Sequence, residues 1–182
     1  MLQDMPIPTP LLRDRRTFAL ETERLTLRKP AHADARVIAA LANDRRIAEM
    51  ARRLPHPYTL DDAVRFVEAV ACDSREMVFL VEHHHVPVGV AGVDWSEPHA
   101  PELGYWFGVD YWGRGFATEA ARAVIEQGFA AGLPEVYAVV RPGNKASLAV
   151  CARLGMAPLG RFRRWYDVEL EAFRLMAPAV VE

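Results

Sequence analysis

The stretch Tyr111-Trp112-Gly113-Arg114-Gly115-Phe116-Ala117-Thr118-Glu119-Ala120 has the residue types of an anion cradle. Gly113 and Gly115 remove side chains where the backbone must turn, so the amides from about Gly113 to Thr118 can point at one place. That place is the positive end of the helix predicted to follow. In that helix Ala121, Val124, Ile125 and Gly128 recur at helical spacing, while Glu119, Arg122 and Glu126 fall on the other face. Converging N–H groups on a helix dipole suit a pyrophosphate. Upstream, Leu103 to Val109 has the aromatic and β-branched bias of a strand, and Gly104 and Gly108 point to a bulge or a close backbone approach. Two glycines before a helix are also compatible with a tight connection and nothing more.

A second stretch, Asn144-Lys145-Ala146-Ser147 through Leu154-Gly155-Met156, lies further on after another predicted strand. Together the two stretches resemble the GCN5-related N-acetyltransferases, over roughly residues 20 to 177. That superfamily's phosphate loop reads [Gln/Arg]-x-x-Gly-x-[Gly/Ala]. Here Gly115 and Ala117 match its last two fixed positions, and Trp112 departs from the first. The fuller string from Tyr111 to Ala120, with Asn-x-x-Ser and Leu-Gly-Met, looks like the RimJ/RimL-like branch that acetylates ribosomal-protein N-termini.

The resemblance implies acetyl-CoA as co-substrate and an amine acceptor, with no metal. Its pantetheine arm would insert between two splayed central strands. Backbone groups of Phe107, Gly108 and Val109 would then bond that arm and polarise the thioester carbonyl. Trp112, Gly113, Arg114, Gly115, Phe116, Ala117 and Thr118 would hold the pyrophosphate, and Asn144 and Ser147 would lie near the pantetheine and the sulfur. Glu102, at the head of the central strand, is the nominated general base; its alternative is an exposed strand-end carboxylate. Asn144 could equally be only a helix cap. Many superfamily members donate a proton to the departing thiolate from a tyrosine at the position held here by Cys151, which leaves Ser147 or a water for that role. Cys151 reads as a small buried hydrophobe. Trp95, Trp106, Arg163, Arg164, Trp165 and Tyr166 are candidates for the acceptor side, with packing and solvated strand faces as the alternative.

Composition narrows the field. At 182 residues and 51% hydrophobic, the chain suits one domain, with residues 1–16 as a loose arm. A net charge of −2 supplies no general basic field for nucleic acid. No apolar run approaches the ~18 residues that cross a bilayer, and Asp4 and the early prolines exclude an apolar signal core. Cys72 and Cys151 lack a Cys-x-x-Cys spacing, so reduced thiols and a cytoplasmic location are expected. A homodimer through the tail hairpin is a further expectation from the resemblance.

The elements that must position these residues can be read in order. Glu23 to Pro30 alternates as a half-buried strand, and Asp34 to Asn43 carries an apolar helical stripe. Arg45, Arg46, Arg52 and Arg53 flank a segment read as a solvated loop or a basic rim. Thr59 and Asp62 have capping-box spacing before a second helix. Met77–Val81 and Val86–Val93 form a hairpin around Glu82 to His85, whose three histidines cannot converge on one ion from a strand. Glu135–Val140 is the next strand, and a hairpin turning near Asp167 closes the chain. The fold class is therefore α/β (α+β): a mixed, mostly antiparallel sheet of about seven strands with helices on both faces, and by the resemblance a splayed central pair. One rival is a dinucleotide-binding module, but Thr118 stands where its third glycine belongs. The other is a sensor that holds the coenzyme without transferring its acetyl group.

Overall fold

The computed structural model describes residues 19–51, 53–72, 76–95, 100–162 and 169–179. Its strands are β1 (Ala19–Glu21), β2 (Leu25–Arg28), β3 (Glu76–His83), β4 (Val86–Asp94), β5 (Glu102–Phe107), β6 (Glu135–Val140), β7 (Ala157–Phe162) and β8 (Leu170–Met176). The helices are α1 (Ala35–Ala42), α2 (Arg45–Met50), α3 (Leu60–Cys72), α4 (Phe116–Ala130) and α5 (Lys145–Arg153). The strands form one sheet of eight, in the order β1-β2-β3-β4-β5-β6-β8-β7. Every neighbouring pair is antiparallel except β5 and β6.

The sheet separates two apolar layers. Phe116, Ala120, Val124 and Ile125 of α4 and Val150 and Cys151 of α5 pack with Leu27, Val88, Leu103 and Phe107 on one face. Ile38 and Ala42 of α1 and Ala63 and Val67 of α3 pack with Leu80 and Val90 on the other. Inward-pointing residues of both signs of the strand pleat are thus apolar, as a sheet covered on both faces requires. Glu82 is the charged exception, 8% exposed. Arg28 satisfies it: Nε donates to Glu82 at 2.9 Å, while Nη1 and Nη2 each donate to Asp34 at 2.8 Å. This triad ties β2, β3 and the entry to α1 together.

The sequence-based elements form, with two additions. β1 is three residues long, too short for a periodicity signal, and is held by pairing with β2 from Ala19↔Arg28 to Glu21↔Thr26. The segment read as a solvated loop contains α2, which Asp44 caps by accepting the Arg46 N–H at 2.8 Å and which buries Ile47. The Thr59–Asp62 capping box is present, with Asp62 accepting the Thr59 N–H at 2.9 Å and Thr59 Oγ1 accepting the Asp62 N–H at 3.2 Å. His84 and His85 make the hairpin turn in the left-handed region, at φ 50° and 64°. Among the described residues no group of three His, Cys, Asp or Glu is placed to hold a metal, and no helix is long and apolar enough to cross a membrane. The arm at 1–16 and the turn near Asp167 lie outside the described residues.

Candidate active site

The site begins where the sheet opens. β4 and β5 stay in register from Gly89↔Phe107 to Asp94↔Glu102. The parallel pair β5–β6 shares the single register position Glu102↔Tyr137, with the Tyr137 N–H donating to Pro101 O at 2.7 Å. Beyond it the strands part. Gly108 N–H donates to Val88 O at 2.9 Å, so Gly108 faces β4. Facing alternates along a ladder, and the backbone groups of Leu103, Tyr105 and Phe107 therefore face the gap. The missing side chain of Gly108 lets α1 pack closely: a Cβ at this position would lie 2.8 Å from Leu41 Cδ2. The Phe107 carbonyl accepts the Trp112 indole N–H at 2.8 Å. The aromatic departure from the family motif thus fastens the start of the loop back onto the strand end.

The cradle follows. Gly113 and Gly115 have φ of +75° and +82°, the left-handed region where a Cβ is strained. Gly115 is the N-cap of α4, and its carbonyl accepts the Glu119 N–H at 3.2 Å. The amides of Phe116, Ala117 and Thr118 precede the first intrahelical donor and point out of the helix end. Arg24, from the β1–β2 connection, braces the loop: Nη1 donates to Arg114 O at 2.9 Å, and Nε donates to Glu119 at 2.8 Å. Thr22 Oγ1 and the Arg24 N–H also donate to Glu119, at 2.6 and 2.8 Å. Burial pushes the Glu119 carboxyl up, but the Thr22 and Arg24 hydrogen bonds and the guanidinium charge outweigh it and hold the group below its ordinary value. Glu119, on the polar face of α4, thus locks the start of the helix to the β1–β2 connection.

A cleft of about 510 Å³ runs through the gap and is lined from both faces of the sheet. Glu102, Gly104 and Trp106 of β5 line it, with Tyr58 and Phe66 from the opposite wall and Arg141 after β6. Glu76, Asp94 and Glu102 stand in one row across β3, β4 and β5. Trp106 lines the cleft and packs against the α1–α3 layer, whereas Trp95 packs against the α4–α5 layer. Arg163, Arg164, Trp165 and Tyr166 lie outside the described residues.

From α5, Asn144 Oδ1 accepts the Ser147 N–H at 3.1 Å, so Asn144 is a helix cap, and both residues line the cleft. Tyr105 brings its hydroxyl to Ser147 and close to Cys151. Sequence reasoning missed this tyrosine. The family resemblance points to α5 at position 151, where this chain has a cysteine, and the phenol beside Ser147 comes from β5. The alternation that buries Leu103 and Phe107 toward α4 and α5 carries Tyr105 to the same side, which was the available signal. Burial raises the Tyr105 hydroxyl to about 12. Burial likewise pushes the Cys151 thiol up to about 11, and its side chain is enclosed, in keeping with a packing role.

The geometry fits coenzyme A. A gap with strand-edge groups on one side accepts an extended, amide-bearing arm, and at its mouth stands a helix end whose two left-handed glycines leave the amides uncovered.

Comparison with known proteins agrees. The family described as Acetyltransferase (GNAT) domain matches over residues 24–157. YkkB of Bacillus subtilis (strain 168) is 42% identical over 65 residues, which are 35% of this chain and only 38% of that protein's length. The uncharacterized N-acetyltransferase p20 of Bacillus licheniformis is 28% identical over 151 residues, 79% of this chain and 85% of that protein. Among solved structures, the microcin C7 self-immunity acetyltransferase MccE in complex with acetyl-CoA and AMP superposes with a TM-score of 0.73 at 19% identity, covering 85% of this chain and 93% of that one. The ribosomal-protein-S5-alanine acetyltransferase from Vibrio fischeri has a TM-score of 0.75 at 21% identity, covering 88% and 97%.

Proposed function

Because this chain belongs to the GNAT acetyltransferase family, as an N-acetyltransferase with acetyl-CoA as its co-substrate, we propose that its acceptor is the α-amine of a protein or peptide N-terminus, attacked directly in a ternary complex in the cytoplasm. The observation that carries this reading is the opened β5–β6 pair, with Glu102 at its closed end and the glycine cradle at its mouth. The N-terminal acceptor draws support from fold neighbours named as ribosomal-protein acetyltransferases.

Acetyl-CoA supplies the acyl thioester. The residues Trp112 to Thr118 hold its phosphates, Leu103, Tyr105 and Phe107 present backbone groups to the pantetheine, and Asn144 shapes the entrance of α5. Val109 borders the arm at the start of the loop. Glu102 takes the proton from the attacking amine, directly or through water. Ser147, with Tyr105 behind it, offers a proton to the departing sulfur. The proposed unit is a single domain. For the proposed homodimer, the exposed Leu159 and Met176 on the β7–β8 edge are the supporting feature.

The test is release of the coenzyme A thiol against N-terminal peptides, polyamines and aminoglycosides, with a no-acceptor control. Turnover with peptides is expected. Turnover with small amines alone would transfer the enzyme to that class, and silence with coenzyme binding intact would favour a sensor.

A second expectation concerns Tyr105. A phenol titrating at about 12 is protonated throughout the neutral range, so its donor form is lost only as pH rises through that value. Tyr105→Phe is expected to lower kcat about tenfold, a small general-acid effect because a thiolate leaves readily. KM for acetyl-CoA should hold, with the deficit constant from about pH 6 to 10. Steady-state kinetics across that range check it, and an unchanged kcat removes Tyr105 from the chemistry.

A further inference from the structure

Among the described residues lining the cleft are three arginines, Arg53, Arg65 and Arg141. Arg53 Nη1 meets Asp94 Oδ2 at 2.6 Å, and Arg65 Nη2 meets Asp62 Oδ1 at 2.7 Å. Arg141 differs: its Nε is buried and has no hydrogen-bond partner. A guanidinium takes a carboxylate edge-on through Nε–H and a neighbouring Nη–H, so an unmet, buried Nε is half of a bidentate site.

Its place in the fold is also specific. Ala138, Val139 and Val140 of β6 line the cleft, and Arg141 follows them directly, at the point where the strand ends beside the gap. Tyr137 is the register partner of Glu102. Arg141 stands about 13 Å further along the strand direction, toward the open end of the gap. An acceptor lying along the cleft with its amine near Glu102 extends toward Arg141, since both residues line it.

We propose that Arg141 anchors a carboxylate of the acceptor, so that the preferred substrates are primary amines that also carry a carboxylate, held with the amine at the Glu102 end. This rests on the amine-acetyltransferase reading and names its substrate class. The carboxylate has two possible sources, a small amino acid of extended length or an acidic side chain near a peptide N-terminus.

Calorimetry on the full chain saturated with coenzyme A separates these. The probes are two matched pairs: ε-aminocaproate with its carboxamide, and the peptide amides Ala-Glu-Ala and Ala-Gln-Ala. The wild type is expected to bind the carboxylate member of at least one pair about tenfold more tightly, the scale of a charge-assisted hydrogen bond. Arg141→Gln should abolish that preference while leaving affinity for the neutral member and for coenzyme A unchanged, and Arg141→Lys should retain part of it. Which pair responds identifies the source. No preference in the wild type, including no binding by any probe, overturns the proposal, as does a preference that survives in Arg141→Gln. Weakened coenzyme binding in a folded Arg141→Gln protein also overturns it, because the anion would then be the coenzyme's. Acetyl transfer to all four probes is followed in parallel. Arg141-dependent binding without transfer to any amine would sink the proposed function and leave the anchor standing.

Discussion

Gly115→Val is expected to weaken acetyl-CoA binding by about 100-fold while the protein remains folded. The physical cause is backbone rather than bulk. At φ +82° a Cβ would meet only Arg24 Nη2, at 3.3 Å, the far end of a flexible side chain. A β-branched residue in the left-handed region, however, costs about 1–3 kcal/mol, and the chain relieves it by turning away from that conformation. The loop amides then lose their common aim. Two charge-assisted hydrogen bonds of ~1.5 kcal/mol each amount to roughly 3 kcal/mol, or about two decades of affinity. Gly113→Ala isolates the same cause, because nothing lies within 4 Å of a Cβ there and its φ is +75°. Titration calorimetry with acetyl-CoA, accompanied by a thermal melt, checks the result. Wild-type affinity in folded Gly115→Val would show that the cradle is only a tight connection.

Glu102→Gln is expected to reduce kcat by about 10²- to 10⁴-fold, with KM for acetyl-CoA close to wild type. Glu102 lines the cleft at the register position where β5 and β6 are still joined, while the proposed phosphate cradle lies at the other end of the gap. The pH profile distinguishes a base from a residue that shapes the cleft. An α-amine ordinarily titrates at about 7.7–8.0, and above that range solvent removes the proton that Glu102 otherwise takes. The deficit of the Gln variant should therefore shrink as pH rises above about 8. A purely positional defect would stay constant, and unchanged turnover and pH profile would remove Glu102 from the mechanism.

The parts of the site that were legible in the chain are those specified by neighbours in sequence. The turn at Gly113 and Gly115, the Thr59–Asp62 capping box and the Asn144 cap each involve residues within one helical turn, and each forms. The apolar periods of α1, α3 and α4 and the strand list were readable for the same reason. α2 was not, because a six-residue helix held by Asp44 and one buried isoleucine carries too little pattern to stand out from a charged loop.

By itself, then, the sequence determined which segments fold and where a glycine turn meets a helix start, since these depend on local backbone preference, and its two motifs carried the resemblance to the family. Only the tertiary structure decided how distant segments meet. It inserted β8 between β6 and β7, and it brought Arg24 and Thr22 onto Glu119. It delivered Tyr105 to Ser147 where the helix itself has a cysteine, and it left the Arg141 Nε without a partner beside the cleft. Sheet register and side-chain encounters across the chain are set by the packing of both layers at once, and no window of neighbouring residues contains that information.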